Sequence, residues 1–215
     1  YFVRDSVVTF ESRVIVGREY TRTPVFSAAL RHIDLNPTWT VPPGIVGEVL
    51  AAARRDAGYL SRQGIEVLDA AGRAVSVDVS RYSAATFPYT FRQRPGPLNP
   101  LGQVKFVLPN AYNVYLHDTP ARSLFASEQR TFSHGCIRVS NPLDLAALVL
   151  DTPRWSVEAL RAAIATGATR TIPLARPVPV LILYWTASAD LHGELHFYAD
   201  VYDRDPALLR ALNTR

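Results

Sequence analysis

Alternating hydrophobic and polar positions along this chain predict a frame of β-strands. Val7 to Val16 is rich in β-branched residues with polar positions between them, and it ends at Gly17, which predicts one strand followed by a turn. Val104 to Leu108 and Asn113 to His117 predict two further strands on either side of a proline-asparagine break. His117 is then expected at the end of its strand.

Two more strand-like runs lie near the end of the chain. Val178 to Trp185 and Glu194 to Tyr202 are apolar and have high β-propensity, and the segment from Ala187 to Gly193 carries turn residues. The pattern predicts a long hairpin that adds two strands to the sheet.

Three segments carry apolar residues at helical spacing instead. Ile45 to Arg55 follows Pro43, which suits a first helical position. Asn141 is a candidate cap for a helix that begins at Pro142 and runs through Leu150. Ser156 to Thr166 begins with a capping serine and is closed by a glycine. The expected fold class is therefore mainly β with flanking helices.

Residues 23–99 interrupt this frame with a mixture of elements of their own. Besides the first helix, Ile65 to Leu68 and Val75 to Val79 predict a small hairpin. A proline-rich stretch over residues 94–100 marks the far end. We predict an α/β subdomain inserted at 23–99; the alternative is a long decorated loop of the same domain. The surrounding domain would comprise residues 1–22 and 100–215.

Composition indicates a folded protein with a real core. Of the 215 residues, 48% are hydrophobic and 10% aromatic, which is enough to bury a core. The formal charge is +4, and Lys105 is the single lysine among 23 basic residues. Because arginine grips carboxylates with a planar fork, a carboxylate-bearing partner is plausible. The arginines form no basic run, so nucleic acid is not the expected partner.

The chain shows no apolar stretch long enough to span a membrane, since its longest run, Val178 to Tyr184, contains Pro179. It opens with Tyr1 in a strand-like pattern and not with methionine, so we expect a fragment of a longer protein. The single cysteine excludes an internal disulfide framework and is compatible with an oxidising compartment.

That cysteine, Cys136, is the first candidate for chemistry. It lies in the segment Ser133-His134-Gly135-Cys136-Ile137-Arg138-Val139, and His117 lies upstream. A thiol within reach of an imidazole can act as a covalent catalyst, which suggests acyl transfer. The alternative is a small buried core residue. Gly135 favours catalysis, because it would allow the N–H groups of Gly135 and Cys136 to point at a developing oxyanion.

Metal chemistry is not expected. The segment from His192 to His196 lacks the spacing that places two imidazoles on one helical face. Zinc held by Cys136, His134 and His117 would consume the nucleophile and would lack an evident fourth ligand. No cofactor is predicted.

The segments Tyr115-Leu116-His117-Asp118-Thr119-Pro120 and Phe132 to Val139 resemble the active-site signature of the L,D-transpeptidases, the YkuD-type catalytic domain. Further segments are similar to the larger Gram-negative branch of that family: Arg13 to Gly17, Thr23 to Ser27, Trp39 to Pro43, Pro95 to Gly102, Leu124-Phe125, Asp144 to Ala146 and Tyr198 to Tyr202. The resemblance covers nearly the whole chain.

The resemblance implies a β-sandwich-like catalytic domain with an inserted substrate-capping subdomain. It implies a cysteine thioester with peptidoglycan tetrapeptide stems as donor and acceptor, forming 3-3 cross-links between diaminopimelate residues and releasing D-alanine. Carbapenems would be inhibitors, the location would be the periplasm, and the full-length protein would be attached to the inner membrane.

Carried over to this sequence, the resemblance makes Cys136 the nucleophile and His117 the general base and acid. The predicted oxyanion donors are the backbone N–H groups of Gly135 and Cys136, with Tyr115 as a side-chain contributor. Asp118 is not expected to complete a triad, because neighbouring side chains on a strand point to opposite faces.

Three further residues of the signature are candidates with less specific roles. Arg138 would hold a stem carboxylate or order the active-site loop, or it is a structural arginine. Ser133 would support the turn through backbone hydrogen bonds. His134 would orient substrate or tune the thiolate, or it is a structural histidine.

Two other functions stay open at this point. A hydrolase could use the same acyl-enzyme with water as acceptor, trimming stems or cleaving cross-links. A non-catalytic peptidoglycan-binding protein could share the fold, although the presence of both Cys136 and His117 argues against it.

Overall fold

The structure of the protein is a computed structural model and describes residues 1–189 and 192–213. The strands of this part of the chain are β1 Phe2–Arg4, β2 Val7–Phe10, β3 Val14–Gly17, β4 Phe26–Leu35, β5 Trp39–Thr40, β6 Ile65–Leu68, β7 Thr90–Gln93, β8 Val104–Val107, β9 Leu116–His117, β10 Thr131–Ser133, β11 Ile137–Val139, β12 Arg170–Ile182, β13 Ala187–Ala189 and β14 Leu195–Phe197. The helices are α1 Pro43–Arg55, α2 Tyr59–Arg62, α3 Pro142–Leu150, α4 Val157–Ala165 and α5 Asp205–Asn213.

A mixed seven-stranded sheet forms the centre of the molecule, in the order β10-β3-β11-β9-β8-β4-β12. Side chains alternate between its two faces, so that Ile33, Leu35, Val104 and Phe106, all 0% exposed, lie on the face covered by α3 and α4. The mainly β fold class with flanking helices is confirmed.

The predicted helices form where the sequence places them. Helix α1 begins at Pro43, and α3 begins at Pro142. The Ser156 hydroxyl caps α4 by accepting a hydrogen bond from the N–H of Ala159. Asn141 precedes α3 without a capping bond from its side chain, so proline alone marks that start. Among the described residues, no helix is long and apolar enough to cross a membrane.

Residues 38–99 contain a second, smaller sheet in the order β5-β7-β6, flanked by α1 and α2. This unit has its own cluster of buried side chains around Phe91, which is 0% exposed. The predicted hairpin between Ile65 to Leu68 and Val75 to Val79 forms only next to its turn, where Leu68 and Ala74 make an isolated antiparallel bridge and the N–H of Val75 donates to the carbonyl of Val67 at 2.9 Å. The second segment does not continue as a strand, and β6 pairs along its length with β7.

The start predicted for the inserted subdomain, Thr23, is too early. Strand β4, Phe26–Leu35, lies inside the seven-stranded sheet and is antiparallel to both β8 and β12. Prolines lie in the sequence shortly before and shortly after this segment, so the pattern there did not predict a strand. The separate unit therefore begins after β4.

The long hairpin predicted near the end of the chain is also wrong. Val178 to Trp185 falls largely in β12, whose partner is β4 and not the later strand. A short hairpin does form between β13 and β14, and the tip of the predicted turn, residues 190–191, lies outside the described residues. The first predicted strand divides into β2 and β3 because residues 11–13 leave the β conformation.

Candidate active site

One register row crosses five strands of the large sheet on the face opposite α3 and α4. Thr171 is paired with Asp34, Asp34 with Lys105, Lys105 with His117, and His117 with Arg138. Paired residues place their side chains on the same face, with neighbouring strands about 4.8 Å apart. A continuous line of polar and charged side chains therefore lies on this face.

Parallel pairing of β9 with β11 brings Cys136 beside Tyr115, on the face of the sheet that carries His117. Ile137 is paired with Leu116 and Arg138 with His117, and the N–H of Ile137 donates to the carbonyl of Tyr115 at 3.1 Å. Cys136 precedes Ile137 and therefore lies next to Tyr115, two residues from the position opposite His117. Since side chains two residues apart share a face, the thiol, the phenol and the imidazole gather on one face of the sheet.

The main chain fixes the tautomer of His117. Its Nδ1 lies 2.5 Å from the carbonyl oxygen of Asp118, which can only accept, so Nδ1 carries the proton and Nε2 carries the lone pair. Burial lowers the pKa of His117 to about 3 and the charges of Arg138 and Lys105 act in the same direction, while hydrogen bonds with the main chain of Asp118 and Pro100 oppose the decrease. The imidazole is therefore neutral near pH 7 and able to accept a proton through Nε2.

The thiol of Cys136 is also neutral at rest. Burial raises its pKa above the ordinary value, while interactions with Tyr115 and the positive charges of Lys105 and Arg138 oppose that increase. The site therefore rests as a thiol and a neutral imidazole and not as an ion pair.

Tyr115 connects the thiol to the smaller unit. Burial and interaction with Cys136 raise the pKa of its hydroxyl, whereas a hydrogen bond from Trp39 of β5 lowers it. The Tyr115 ring lies 5.6 Å from the His117 ring, and Lys105 Nζ lies 4.3 Å from the centre of the Tyr115 ring. The protonated phenol is therefore a donor close to the sulfur.

The loop before Cys136 is held by Ser133 and by the geometry of Gly135. The Ser133 hydroxyl donates to the carbonyl of Cys136 at 2.6 Å and accepts from the N–H of Gly135 at 3.1 Å. Gly135 has a φ of +110°, a conformation that strongly favours glycine. Ser133 thus makes backbone bonds, and the Gly135 N–H, one of the two predicted main-chain oxyanion donors, has a partner inside the loop.

The loop after β3 and the segment around Tyr202 stabilise this turn through further hydrogen bonds. The Thr23 hydroxyl donates to the carbonyl of Gly135 at 2.9 Å, and the Thr21 hydroxyl donates to the carbonyl of Ser133 at 3.1 Å. Buried Tyr202 donates from its hydroxyl to the carbonyl of Gly17 at 2.7 Å and accepts from the N–H of Thr23 at 3.3 Å. Tyr202 is therefore a structural support that the motifs alone did not assign.

The side chains of Arg138 and His134 lie in different environments. Within the described residues, Nε of Arg138 is buried without a hydrogen-bond partner, and burial followed by the charge of Arg18 lowers the Arg138 pKa. Nε2 of His134 lies 3.2 Å from Oε1 of Glu48 on α1. His134 therefore contacts the smaller unit and not the thiol, whereas Arg138 stays on the face that carries His117.

Asp118 has structural partners for its carboxylate. Its Oδ2 accepts from the N–H of Gln103 at 2.9 Å, and its Oδ1 accepts from Arg122 at 3.0 Å. The contact from Asp118 to His117 is made by the main-chain carbonyl, so the carboxylate is not the third member of a triad. Among the described residues, no group of three or more histidine, cysteine or acidic residues could hold a metal ion.

A cavity of about 600 Å³ opens beside Tyr115, between the large sheet and the smaller unit. Its lining includes Asp34, Lys105 and Tyr115 from the sheet side and Trp39 from β5. Sequence reasoning did not assign Asp34 or Lys105 to the site. The signal that could have found Lys105 is its position between buried Val104 and Phe106, which turns a charge onto the opposite face.

The sheet with its cysteine and histidine has the arrangement used by enzymes with a cysteine nucleophile. The family model of the L,D-transpeptidase catalytic domain, YkuD, matches residues 1–180. A Haemophilus influenzae protein named "Putative L,D-transpeptidase" is 34% identical over 208 residues, covering 95% of this chain and 42% of that protein. The chain thus spans less than half of the length of the curated relative it matches. It belongs to the YkuD family of L,D-transpeptidase catalytic domains, which confirms the resemblance.

Proposed function

We propose that this domain is a peptidoglycan L,D-transpeptidase that forms 3-3 cross-links between diaminopimelate residues through a thioester on Cys136. One observation carries the proposal. The pairing of β9 with β11 places the Cys136 thiol on the same face as His117, whose Nε2 is left with its lone pair by the bond from Nδ1 to Asp118. This arrangement suits a nucleophile with an adjacent general base.

In the acylation step, Nε2 of His117 takes the proton of the Cys136 thiol. The sulfur attacks the carbonyl between diaminopimelate at position three and D-alanine at position four. His117 then returns its proton to the departing nitrogen, so that D-alanine leaves as a neutral amine. The acyl group stays on the sulfur as a thioester, which keeps the energy of the broken amide and makes ATP unnecessary.

In the transfer step, the side-chain amine of a second diaminopimelate attacks the thioester carbonyl. His117 accepts the proton lost by that amine and gives it to the departing sulfur, which restores the thiol. Since burial keeps the His117 pKa low, the imidazole releases each proton readily. The cycle ends with a 3-3 amide and a free Cys136.

For the oxyanion, the proposal relies on the Cys136 N–H and the Tyr115 hydroxyl. The Gly135 N–H donates to Ser133 and would have to leave that bond before it could contribute. The raised pKa of Tyr115 supports its role, because the phenol stays protonated and can donate. Arg138, with a buried Nε that has no partner among the described residues, suits a stem carboxylate.

The same proposal makes residues 38–99 a cap over the substrate. Two contacts support this role: Trp39 interacts with Tyr115 and lines the cavity, and Glu48 meets His134 of the active-site loop. The enzyme would act in the periplasm, with the full-length protein attached to the inner membrane, and carbapenems would acylate the same cysteine.

The test is incubation with disaccharide-tetrapeptides followed by mass analysis of the products and of the intact protein. Dimers that have lost one D-alanine are expected, together with a thioester adduct on Cys136. Cys136→Ala should abolish both, whereas Cys136→Ser is a matched variant that keeps the size of the side chain but offers a poorer nucleophile.

Three outcomes would contradict the proposal. Tripeptide monomers in place of dimers would indicate a hydrolase with the same acyl-enzyme. Activity retained in Cys136→Ala would exclude the mechanism. The absence of any adduct, with stems or with a carbapenem, would favour a peptidoglycan-binding protein without catalysis.

A further inference from the structure

Two opposite charges lie side by side in the register row that contains His117. Asp34 of β4 is paired with Lys105 of β8, and Lys105 is paired with His117 of β9. Both Asp34 and Lys105 line the cavity beside Tyr115. Neither residue takes part in the proton transfers proposed for Cys136 and His117.

These charges do not neutralise each other. Among the described residues, no ion pair joins Asp34 to Lys105, although cross-strand partners can normally meet. Asp34 turns toward β12, where its Oδ1 accepts a hydrogen bond from the Thr171 hydroxyl at 2.6 Å. Lys105 turns the other way, so that Nζ lies over the ring of Tyr115. The two groups therefore present separate charges to one cavity.

The surroundings leave both groups able to meet a ligand. The Asp34 side chain is 19% exposed, and the nearest basic atom among the described residues is His32 Nε2, at 3.9 Å from Oδ1. Lys105 has an aromatic ring beneath it, which leaves donors of its ammonium group free to bind an acceptor. A ligand that carries a carboxylate and an ammonium on one carbon would satisfy both residues.

The spacing agrees with the substrate class of the proposed function, on which this inference rests. Cys136 lies at the start of β11, so Lys105 is two strands and Asp34 three strands away, about 10 and 14 Å at the backbone. The side chain of Lys105 shortens this distance, because its Nζ lies over the ring of Tyr115, whose hydroxyl interacts with the Cys136 thiol. The donor side chain and the side chains of Cys136 and Asp34 together span the rest. The far amino-acid centre of diaminopimelate lies roughly 6 Å from the scissile carbonyl, since five bonds of about 1.5 Å separate them in a staggered chain.

We propose that Lys105 and Asp34 form a subsite for the zwitterionic end of the donor diaminopimelate side chain. Lys105 binds the carboxylate and Asp34 binds the ammonium, while the scissile carbonyl lies at Cys136. The subsite is a specificity device, because a lysine side chain at the same stem position offers the ammonium without the carboxylate.

The experiment measures kcat/KM for thioester formation with two donor stems, one containing diaminopimelate and one containing lysine. Wild type should favour the diaminopimelate stem by roughly 10- to 100-fold, the range expected for a hydrogen bond between charged groups. Lys105→Met should reduce this preference to less than about threefold, mainly through KM, and Lys105→Arg should restore part of it.

The ratio of two substrates within one variant isolates the effect. Lys105 also influences the Cys136 thiol, and a partly unfolded sample would lower every rate, but both effects cancel in the ratio. Arg31→Met is the matched control, since it removes one positive charge from an exposed position on β4 outside the cavity, and it should keep the wild-type preference.

Asp34 has its own comparison. Acetylation of the side-chain amine of the diaminopimelate donor removes the ammonium, and wild type should process that stem several-fold more slowly. Asp34→Asn should process the free and acetylated stems at similar rates. An Asp34→Asn protein that still prefers the free amine would overturn the assignment of the ammonium.

The remaining outcomes separate the two proposals. A wild-type protein that forms the thioester without preference for diaminopimelate, or a Lys105→Met variant that keeps the full preference, would overturn the subsite and leave the proposed function intact. Failure of wild type to form a thioester with any stem would instead overturn the proposed function.

Discussion

The large sheet and the unit of residues 38–99 contribute to the candidate site in different ways. The sheet supplies consecutive partners of one register row, so its polar side chains are positioned by backbone pairing. The smaller unit folds around its own buried cluster and reaches the site through the side chains of Trp39 and Glu48. Substitutions in the register row of the large sheet should therefore reduce activity strongly. Substitutions at the contacts from residues 38–99 should change it only slightly.

The strongest test of this difference is His117→Ala. Thioester formation with a tetrapeptide donor should slow by roughly 100- to 10,000-fold, because the proposed general base is removed. The measurement is the time course of adduct formation by intact-protein mass spectrometry, with circular dichroism to show that the sheet is retained. A loss below tenfold would mean that the register row does not supply the base.

A second large effect is expected on stability in acid. Burial lowers the His117 pKa from 6.5 to about 3, so the unfolded chain binds a proton between these values that the folded protein does not. Stability should therefore fall as the pH decreases through this window, by up to about 1.4 kcal/mol per unit from this residue. Denaturant titrations at several pH values would measure the slope.

His117→Gln is the control for that slope, since glutamine does not titrate. The difference in slope between wild type and this variant isolates the histidine from the carboxylates, which contribute at lower pH. Equal slopes between pH 6.5 and 4.5 would contradict the buried neutral imidazole.

The separation of the two cores is tested by truncating a side chain in each. Phe91→Ala should cost about 3 to 5 kcal/mol, confined to the smaller unit, because Phe91 is fully buried in its cluster. Hydrogen exchange should increase in residues 38–99 while alkylation of Cys136 stays close to wild type. Phe106→Ala, the matched truncation in the large core, should affect both regions. A uniform response to both variants would show one cooperative core.

The smallest effect is expected at the contact between the two regions. Glu48→Gln should change kcat/KM with tetrapeptide donors by less than about fivefold, because the pair with His134 is largely exposed and such pairs contribute about 1 kcal/mol or less. The effect should fall on KM. A change of 100-fold would mean that Glu48 belongs to the chemistry and not to the cap.

Thiol reactivity should also follow the environment of the sheet. Because burial raises the Cys136 pKa, the rate of alkylation by iodoacetamide should increase about tenfold per pH unit from pH 7 upward. The increase should continue beyond the pH at which an ordinary cysteine thiol is fully ionised. A plateau near pH 6 would indicate a thiolate-imidazolium pair at rest.

Short sequence signals predicted those elements that depend on neighbouring residues in the chain. Helices α1, α3 and α4 begin at proline or at a capping serine, and they form where those residues predict them. The two residues of the proposed catalytic pair could also be found, because a cysteine behind a glycine and a histidine at a strand end are recognisable without coordinates.

The sequence was a much poorer guide to which strands pair with each other. Phe26–Leu35 was assigned to the inserted subdomain, and Val178 to Trp185 was assigned to a hairpin, yet these two segments pair with each other. A strand shows which of its residues alternate, but the choice of partner depends on contacts far away in the chain. For the same reason Asp34 and Lys105 could not be placed beside His117 from spacing alone.

The sequence by itself determined the residue types of the proposed chemistry, where the helices begin, and the family, because each depends on short segments. The tertiary structure decided which side chains share one face of the sheet, since register is set by the burial of Val104, Phe106 and their neighbours under α3 and α4. It also decided the protonation states, because burial and the carbonyl of Asp118 leave Cys136 as a thiol and His117 as a neutral base.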